Sequence, residues 1–460
     1  MASKEKDKLD RSLGFFSLTN IVIANMIGAG IFTTSGLLMG DIGNPWILLL
    51  FWVIGGVLAL CGALSYGELG AAMPQAGGEY NFLSKLFHPI YGFLSGWASF
   101  IAGFSAPIAA SAIGFSAYFF RAFPQFGSTM GLSMDTNKKL VSICVILLFS
   151  AIHLRGIKFG AKVQNYLTVF KVVLVVGLLI VGFLWGNGDL SHFSDQVRVT
   201  SDFGSWKTAG LSLMWIMFAY TGWNASVYVG SEIKNPKKNL AKSLILGTII
   251  VMLLYLLLNI LFIYAIPPAD MKGVVAIGGL AVNNLFGSSA DAVVSLLISF
   301  ALFSSLSAFI ILGPRIYYAM AKDGYFFKFL AQIHPVFKVP SKAILIQALV
   351  SILLVLSGTF DQILTYMGFA LGIFPILAIV GLFKLRKSGQ SVLKLPGYPW
   401  VQVFYIVISL SILVLAFFER PKESSIALLS MLVGIPIFFA FKHFQHNTNF
   451  NALENQSKNR

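Results

Sequence analysis

Long hydrophobic runs alternate along this chain with short polar segments, and the runs have the length of membrane-spanning helices. A helix needs about 20 mostly apolar residues to cross a bilayer, and on that measure the sequence predicts about twelve spans. Their approximate limits are 14–39, 45–72, 91–120, 139–154, 161–185, 207–231, 242–266, 290–321, 343–357, 361–384, 399–418 and 424–442. The pattern therefore predicts an all-α polytopic membrane protein.

Two of the runs, the first and the sixth, are interrupted near the middle by small and polar residues. The first contains Gly28-Ala29-Gly30 and the sixth contains Thr221-Gly222. A helix broken at such a point exposes N–H groups at one end and C=O groups at the other, with partial charges of opposite sign. A zwitterion carries the two matching charges. Close helix packing also explains small residues, but two interruptions five spans apart favour an inverted-repeat secondary transporter with a site at the breaks.

The composition agrees with a membrane protein and narrows its chemistry. Hydrophobic residues make up 57% of the chain and charged residues 11%, and the mean hydropathy is +0.80. The N-terminal segment has no cleavage site of small residues, so we expect no cleaved signal peptide. Cys61 and Cys144 both lie in apolar runs, so we expect packing roles for them and no disulfide. The sequence contains no metal-ligand spacing and no nucleotide-binding motif, so we predict no metal, no cofactor and no ATP-driven transport.

Positive charges are distributed unevenly between alternate connections. With the N-terminus inside, the predicted inner segments contain 24 Lys and Arg residues and the outer segments contain 8. The positive-inside rule therefore predicts a multi-pass protein of the cell membrane with both termini in the cytoplasm. The net charge of +15 belongs mostly to the inner face. Attraction to anionic lipid accounts for it, and nucleic-acid binding is not indicated.

Four motifs, in order along the chain, resemble those of the amino acid–polyamine–organocation superfamily, especially its bacterial members similar to L-type amino acid transporters. They are MIGAGIF, YGELGAAMPQAGGEYNFL, FAYTGWNASVYVGSEIKNPKKN and GPRIYYAMAKDG. The resemblance implies two inverted five-helix repeats with helices 1 and 6 broken, two additional helices, and alternating access around a central amino acid. The corresponding segments are a tail at 1–12, repeats at 13–199 and 200–392, two spans at 393–444 and a tail at 445–460.

The resemblance also implies that the substrate binds backbone groups at the two breaks. Backbone N–H groups of Ala29, Gly30 and Ile31 would hold its carboxylate. Carbonyl groups at both breaks would hold its ammonium group, and Phe218 matches an aromatic residue that closes over the substrate. The complete implied set is Ile27, Gly28, Ala29, Gly30, Ile31, Phe218, Ala219, Tyr220, Thr221 and Asn224.

Lys171 is the one cation placed deep in a predicted span. It lies about ten residues into the fifth run, which at 1.5 Å per residue is about 15 Å from the inner edge. Its long side chain could still extend to the interface. The resemblance instead matches it to a lysine of sodium-independent members that takes the place of a bound ion between the first break and span 8. Span 8 offers the hydroxyls of Ser304, Ser305 and Ser307 as acceptors, so we predict that Lys171 couples protonation or substrate occupancy to gating.

The favoured substrate is a neutral L-amino acid. The deep parts of the predicted spans contain no carboxylate for a cationic side chain and no arginine for an anionic one. Many relatives have glycine in place of Thr221, so we expect a smaller or more polar pocket. An organic cation or polyamine carrier is the alternative, while a membrane-embedded enzyme and an ion channel are disfavoured. Exchange, proton symport and an accessory subunit all remain open.

Overall fold

The fold is all-helical throughout the residues that the structure describes. The computed structural model describes residues 9, 11–129, 132–194, 203–274, 276–357 and 360–443. The prediction of an all-α protein is confirmed. The helices are α1 (Phe15–Met26), α2 (Ala29–Ile42), α3 (Pro45–Ala72), α4 (Glu79–Leu86), α5 (Pro89–Ala98), α6 (Ser105–Ala122), α7 (Pro124–Thr129), α8 (Met134–Leu154), α9 (Ile157–Trp185), α10 (Phe203–Ala219), α11 (Pro236–Ala265), α12 (Pro268–Met271), α13 (Ile277–Phe286), α14 (Ser288–Lys322), α15 (Ser341–Ser357), α16 (Phe360–Lys387), α17 (Trp400–Glu419) and α18 (Pro421–Leu432).

Ten segments of the described chain are long and apolar enough to cross a membrane. The sixth predicted run adds α10 and the ninth adds α15, each with 17 residues. Every predicted run therefore contains a helix, and the prediction of a polytopic helical membrane protein is confirmed. The hydrophobic runs predicted the positions of the helices, because a bilayer admits only segments that satisfy their own backbone hydrogen bonds.

The first run is broken where its glycines predicted an interruption. α1 ends at Met26 and α2 begins at Ala29, so Ile27 and Gly28 separate two half-helices. Gly28 is extended, with φ −121° and ψ −158°, and Ile27 has ψ 87°. Neither residue continues a helix. The break therefore leaves the first N–H groups of α2 without partners inside their own helix.

The sixth run is also broken, but its second half differs from a regular half-helix. Gly222 adopts φ +112°, a conformation that favours glycine. The chain then continues as short 3₁₀ turns at Ala225–Tyr228 and Gly230–Glu232. Neighbouring segments bind this backbone, since the Gly77 N–H donates to the Tyr228 carbonyl at 3.2 Å. Hydrogen bonds that would extend an α-helix are thus directed to other parts of the chain.

The third span is irregular next to the site. A π-helical turn at Ser99–Gly103 joins α5 to α6. Pro107 follows one turn later and has no N–H to donate to the Gly103 carbonyl. The irregular turn therefore lies where the helix lacks a donor, as is common for π-bulges and proline kinks. Beyond it, Pro107, Ala110 and Ser111 line the central cavity described below.

Ion pairs hold together the end of the molecule that is predicted to face the cytoplasm. Arg315 of α14 donates to the Glu232 carboxylate at 3.1 and 3.2 Å, and both side chains are buried. Arg386 of α16 donates to Glu68 of α3 at 2.6 and 2.7 Å. The Leu13 N–H donates to the Glu232 carbonyl at 2.9 Å. These contacts close this end of the helix bundle in the structure.

Candidate substrate site

The two breaks contact each other directly. A Cβ atom added to Gly30 would lie 2.8 Å from the Ala219 Cα, and one added to Gly222 would lie 2.5 Å from the Asn25 Cβ. Glycine permits both approaches because it has no side chain. Gly30 is in the first turn of α2 and Ala219 is the last residue of α10. The positive end of one half-helix therefore lies against the negative end of the other.

A cavity of about 20 Å³ lies between the two breaks. A water molecule needs about 10–15 Å³ of such space, so the cavity has room for about one water. A bound amino acid requires its walls to move apart. Six residues of the implied set line it: Gly28, Ala29, Gly30, Phe218, Ala219 and Thr221.

The other four residues of the implied set surround this cavity without lining it. Ile27 and Ile31 are buried beside it. The Tyr220 hydroxyl donates to the Trp52 carbonyl at 3.1 Å, which directs this side chain into the packing between helices. Asn224 lines a neighbouring cavity. The structure thus brings the glycines and the end of α10 together and places these four side chains elsewhere.

Lys171 reaches carbonyl groups that the first break leaves without helical partners. Its ammonium group donates to the carbonyls of Ala24, at 3.2 Å, and of Ile27. It also donates to the Ser305 hydroxyl at 2.7 Å, and that hydroxyl donates to the Ile27 carbonyl at 2.7 Å. The Lys171 side chain is buried, with 1% exposed. It is therefore directed to the break and not to the membrane interface.

The three serines of span 8 have different partners, which corrects their grouping around the buried lysine. Only Ser305 contacts that lysine. Ser304 accepts from the Gln164 amide at 3.1 Å, and Ser307 pairs with the His153 Nε2 at 2.8 Å. Successive residues of an α-helix point in directions about 100° apart, because one turn takes 3.6 residues. Ser304 and Ser307 lie one and two positions from Ser305 and therefore point away from its neighbours.

Tyr255 connects the two breaks, although no sequence motif indicated it. Its hydroxyl lies within hydrogen-bonding distance of the Met26 carbonyl and 3.0 Å from the Ala219 carbonyl. The residue is in the middle of α11 and is fully buried. The Ile27 carbonyl, which the resemblance assigns to the substrate ammonium group, is thus bound to protein donors, and the Ala219 carbonyl lies against the Tyr255 hydroxyl. A tyrosine in an aliphatic run was the only sequence signal.

A buried carboxylate lies beside the site, which corrects the argument that the deep part of the protein contains none. Glu79 begins α4, in the connection between spans 2 and 3, and is 5% exposed. Its carboxylate accepts from the Asn224 amide at 2.9 Å and from the hydroxyls of Tyr228 at 3.2 Å and Ser95 at 3.4 Å. The argument failed because it considered only the predicted spans, and this connection folds back against the second break.

Two glycines bring Glu79 to this position. Gly77 and Gly78 have φ +107° and +52° and turn the chain immediately before α4. A Cβ atom on Gly78 would lie 2.4 Å from the Tyr228 ring, so this turn is tightly packed. Burial raises the pKa of the Glu79 carboxyl to about 7, and hydrogen bonds from its neighbours oppose that rise. Near neutral pH the group therefore carries less than a full charge.

A larger cavity, of about 370 Å³, leads from the first break to the end of the molecule predicted to lie outside. Ala29 lines both this cavity and the central one. Lys138 and Arg121 lie in its wall, and Arg121 donates to Asp291 at 2.7 and 2.9 Å. A wide cavity thus lies beside the site at one end of the molecule, whereas ion pairs lie at the other.

A multi-pass helical membrane protein with two broken helices around a closed cavity has the architecture of a secondary transporter. The chain belongs to the amino acid permease family, which matches residues 13–441. This family is part of the amino acid–polyamine–organocation superfamily, as the motifs predicted. Its members are transporters, so the protein is a permease and not an enzyme.

Three relatives cover almost the whole chain. The serine/threonine exchanger SteT of Bacillus subtilis (strain 168) is 28% identical over 447 residues, which are 95% of this chain and 98% of that protein. The b(0,+)-type amino acid transporter 1 of Mus musculus is 26% identical, with 95% and 89% covered. The large neutral amino acids transporter small subunit 2 of Mus musculus is 25% identical, with 95% and 82% covered.

Proposed function

We propose that the protein is a sodium-independent secondary transporter of neutral L-amino acids that works by alternating access. The contact between the N-terminus of α2 and the C-terminus of α10 carries the proposal. There the N–H groups of Ala29, Gly30 and Ile31 bind the substrate carboxylate, and carbonyls of Ile27 and of 218–221 bind its ammonium group. A site made of backbone groups suits any α-amino acid, because it binds the part that all of them share.

Substrate binding changes hydrogen bonds inside the protein. The Ile27 carbonyl accepts from Lys171 and Ser305, and the Ala219 carbonyl lies against the Tyr255 hydroxyl. An incoming ammonium group competes with these donors. Occupancy of the site is therefore linked to the position of α1 against spans 5, 7 and 8, and this link is the proposed basis of gating.

The surroundings of Lys171 support sodium independence. Its ammonium group binds two carbonyl oxygens, of Ala24 and Ile27, and one hydroxyl oxygen, of Ser305. Neutral oxygen atoms of this kind also coordinate hard metal cations. The Lys171 side chain therefore occupies the place in which a coupling ion would bind, and its protonation or release can couple to the same carbonyls.

The chemistry around the central cavity favours neutral substrates. Its lining, as far as the structure describes it, contains no acidic or basic side chain. The Glu79 carboxylate, in the neighbouring cavity, already accepts from three protein donors. Two of the relatives are named for serine and threonine and for large neutral amino acids. The buried carboxylate of Glu79 nevertheless favours the alternative, an organic cation or polyamine carrier.

The proposal includes an orientation and a movement. Both termini lie in the cytoplasm, the basic inner face contacts anionic lipid, and the repeats comprise residues 13–199 and 200–392. Spans 1 and 6 close over the substrate, and their bundle then rocks against spans 3, 4, 8 and 9. The wide cavity at one end and the ion pairs at the other suit a state open toward the predicted outer side. Exchange and proton symport both fit this cycle, with or without an accessory subunit.

Transport by the purified protein in liposomes tests the proposal. We expect counterflow of neutral L-amino acids that does not depend on a sodium gradient, and no uptake of polyamines. Lys171→Ala is expected to reduce transport about tenfold or more, because buried carbonyls lose their donor. Lys162→Ala, on the exposed face of the same helix, is the matched control and should stay near wild type. Sodium-dependent uptake, uptake of polyamines alone, or full activity of Lys171→Ala contradicts the proposal.

A further inference from the structure

A second cavity lies directly next to the central one. It has a volume of about 50 Å³ and shares Asn25, Thr221 and Phe309 with the central cavity. Its lining also includes Glu79 and Asn224. Because a water molecule needs about 10–15 Å³ of such space, the second cavity accommodates about three or four heavy atoms. It is thus adjacent to the site proposed for the amino and carboxyl groups and large enough for a short side chain.

Asn25 leaves one acceptor unused at the boundary between the two cavities. Its Nδ2 donates to the Ile21 carbonyl at 2.8 Å, which orients the side-chain amide. Its Oδ1 is buried and has no hydrogen-bond partner among the described residues. Buried polar atoms without a partner are uncommon in folded proteins. Because Asn25 lines both cavities, a donor on a bound ligand is the partner that this oxygen lacks.

Two further side chains present acceptors to the same cavity. The Thr221 hydroxyl donates to a carbonyl one turn back at 3.2 Å, so its lone pairs remain for a ligand. The Glu79 Oε1 accepts from Asn224 and Tyr228, and the Ser95 hydroxyl makes a long 3.4 Å contact with its Oε2. Both side chains can accept hydrogen bonds from a ligand.

We propose that the second cavity is a side-chain subsite and that it selects a short side chain bearing a hydroxyl group, as in serine or threonine. The inference rests on the proposed function, because the amino and carboxyl groups must first be held at the breaks. A hydroxyl donates its hydrogen to Asn25 Oδ1 or to Glu79 Oε2. A methyl group in the same place gives Asn25 Oδ1 no donor, and a long cationic chain exceeds the space.

Pairs of amino acids that differ in one hydroxyl group test this subsite. Serine differs from alanine by one hydroxyl, and threonine matches valine in shape. In counterflow by the wild-type protein in liposomes, we expect KM values about tenfold lower for serine and threonine than for alanine and valine. Equal values in both pairs overturn the subsite and point to water as the occupant, while amino acid transport itself still supports the proposed function. Absence of transport for every amino acid contradicts the proposed function instead.

Asn25→Leu tests the acceptor directly, since leucine has nearly the shape of asparagine without its polar atoms. We expect the KM for serine divided by the KM for alanine to rise to within about twofold of one, because the preference for serine is lost. Asn20→Leu is the matched control on the same helix, since the Asn20 amide donates to Asn165 at 3.3 Å and lines neither cavity. It should keep the wild-type ratio.

Two results with Asn25→Leu overturn the proposal: an unchanged preference for serine, or a KM for alanine that rises as much as the KM for serine. If this variant does not fold, Glu79→Gln replaces it. Its serine-to-alanine ratio of KM is expected to rise at least about threefold, toward one, because an amide is a weaker acceptor than a carboxylate. An unchanged ratio in Glu79→Gln overturns the proposal as well.

Discussion

The two helix breaks meet at one site but are built differently. The first break is short, and an α-helix resumes after Ile27 and Gly28. Its exposed carbonyls are bound by side chains from three other spans, namely Lys171, Ser305 and Tyr255. The second break is longer, continues as 3₁₀ turns, and presents its own side chains to two cavities.

Under the proposed function, this difference separates two tasks within one site. Backbone groups around the first break would bind the part that all amino acids share. Side chains around the second break, such as Thr221 and Asn224, line the cavity proposed for the substrate side chain. We therefore expect changes that disturb the contact between the breaks to reduce all transport, and changes to side chains of the second break to alter selectivity.

Gly222→Ala is expected to have the largest effect. The residue has φ +112°, and a Cβ atom would lie 2.5 Å from the Asn25 Cβ and 2.9 Å from the Met26 nitrogen. The backbone conformation costs a residue other than glycine about 1–3 kcal/mol, and overpacking costs about the same again. Initial rates in liposomes should fall about a hundredfold or more for all substrates.

Gly28 offers the comparison for that experiment. The atom nearest to a Cβ added at Gly28 would be the Ser305 Oγ, at 3.6 Å. The transport rate of Gly28→Ala should therefore stay within about threefold of wild type. Gly28→Leu carries a longer side chain into the contact between Ser305 and Lys171. It should abolish substrate binding in a protein that still folds, as judged by thermal unfolding. Normal transport by Gly28→Leu would contradict the backbone site.

Tyr255→Phe is expected to have an intermediate effect. It removes the hydroxyl that lies between the carbonyls of Met26 and Ala219. A buried carbonyl that loses its donor costs about 1–3 kcal/mol, so transport should fall about tenfold with unchanged selectivity. Tyr264→Phe on the same helix is the control, because its hydroxyl makes only a 3.5 Å contact with Gly186. A shift in the order of preferred substrates would show that Tyr255 belongs with the selective side of the site.

Thr221→Gly is expected to have the smallest effect on rate and a measurable effect on selectivity. The side chain lines both cavities, so its removal enlarges the space for the substrate side chain. The rate for leucine relative to alanine should rise about threefold to tenfold, in proportion to the added apolar volume. Competition assays with unlabelled amino acids measure this ratio. If the ratio does not change, Thr221 does not limit substrate size.

Much of the fold and part of the site were predictable from short stretches of sequence. The hydrophobic runs predicted the spans, Gly28-Ala29-Gly30 and Thr221-Gly222 predicted the positions of the breaks, and a count of residues placed Lys171 deep in span 5. These features depend on hydrophobicity and backbone hydrogen bonds within one or two helical turns. The residues within a few helical turns are therefore sufficient to predict the spans, the breaks and the depth of Lys171.

The partners inside the site depend on how distant helices rotate and pack against one another. Ser305 and not Ser304 meets Lys171, because neighbouring residues of one helix point in different directions. Tyr255 reaches both breaks from a span without any polar motif. Glu79 reaches the second break from a connection that folds back between spans. Residues up to 229 positions apart form these contacts, so their geometry follows from the packing of the whole bundle. Each span and each break, in contrast, follows from its own sequence.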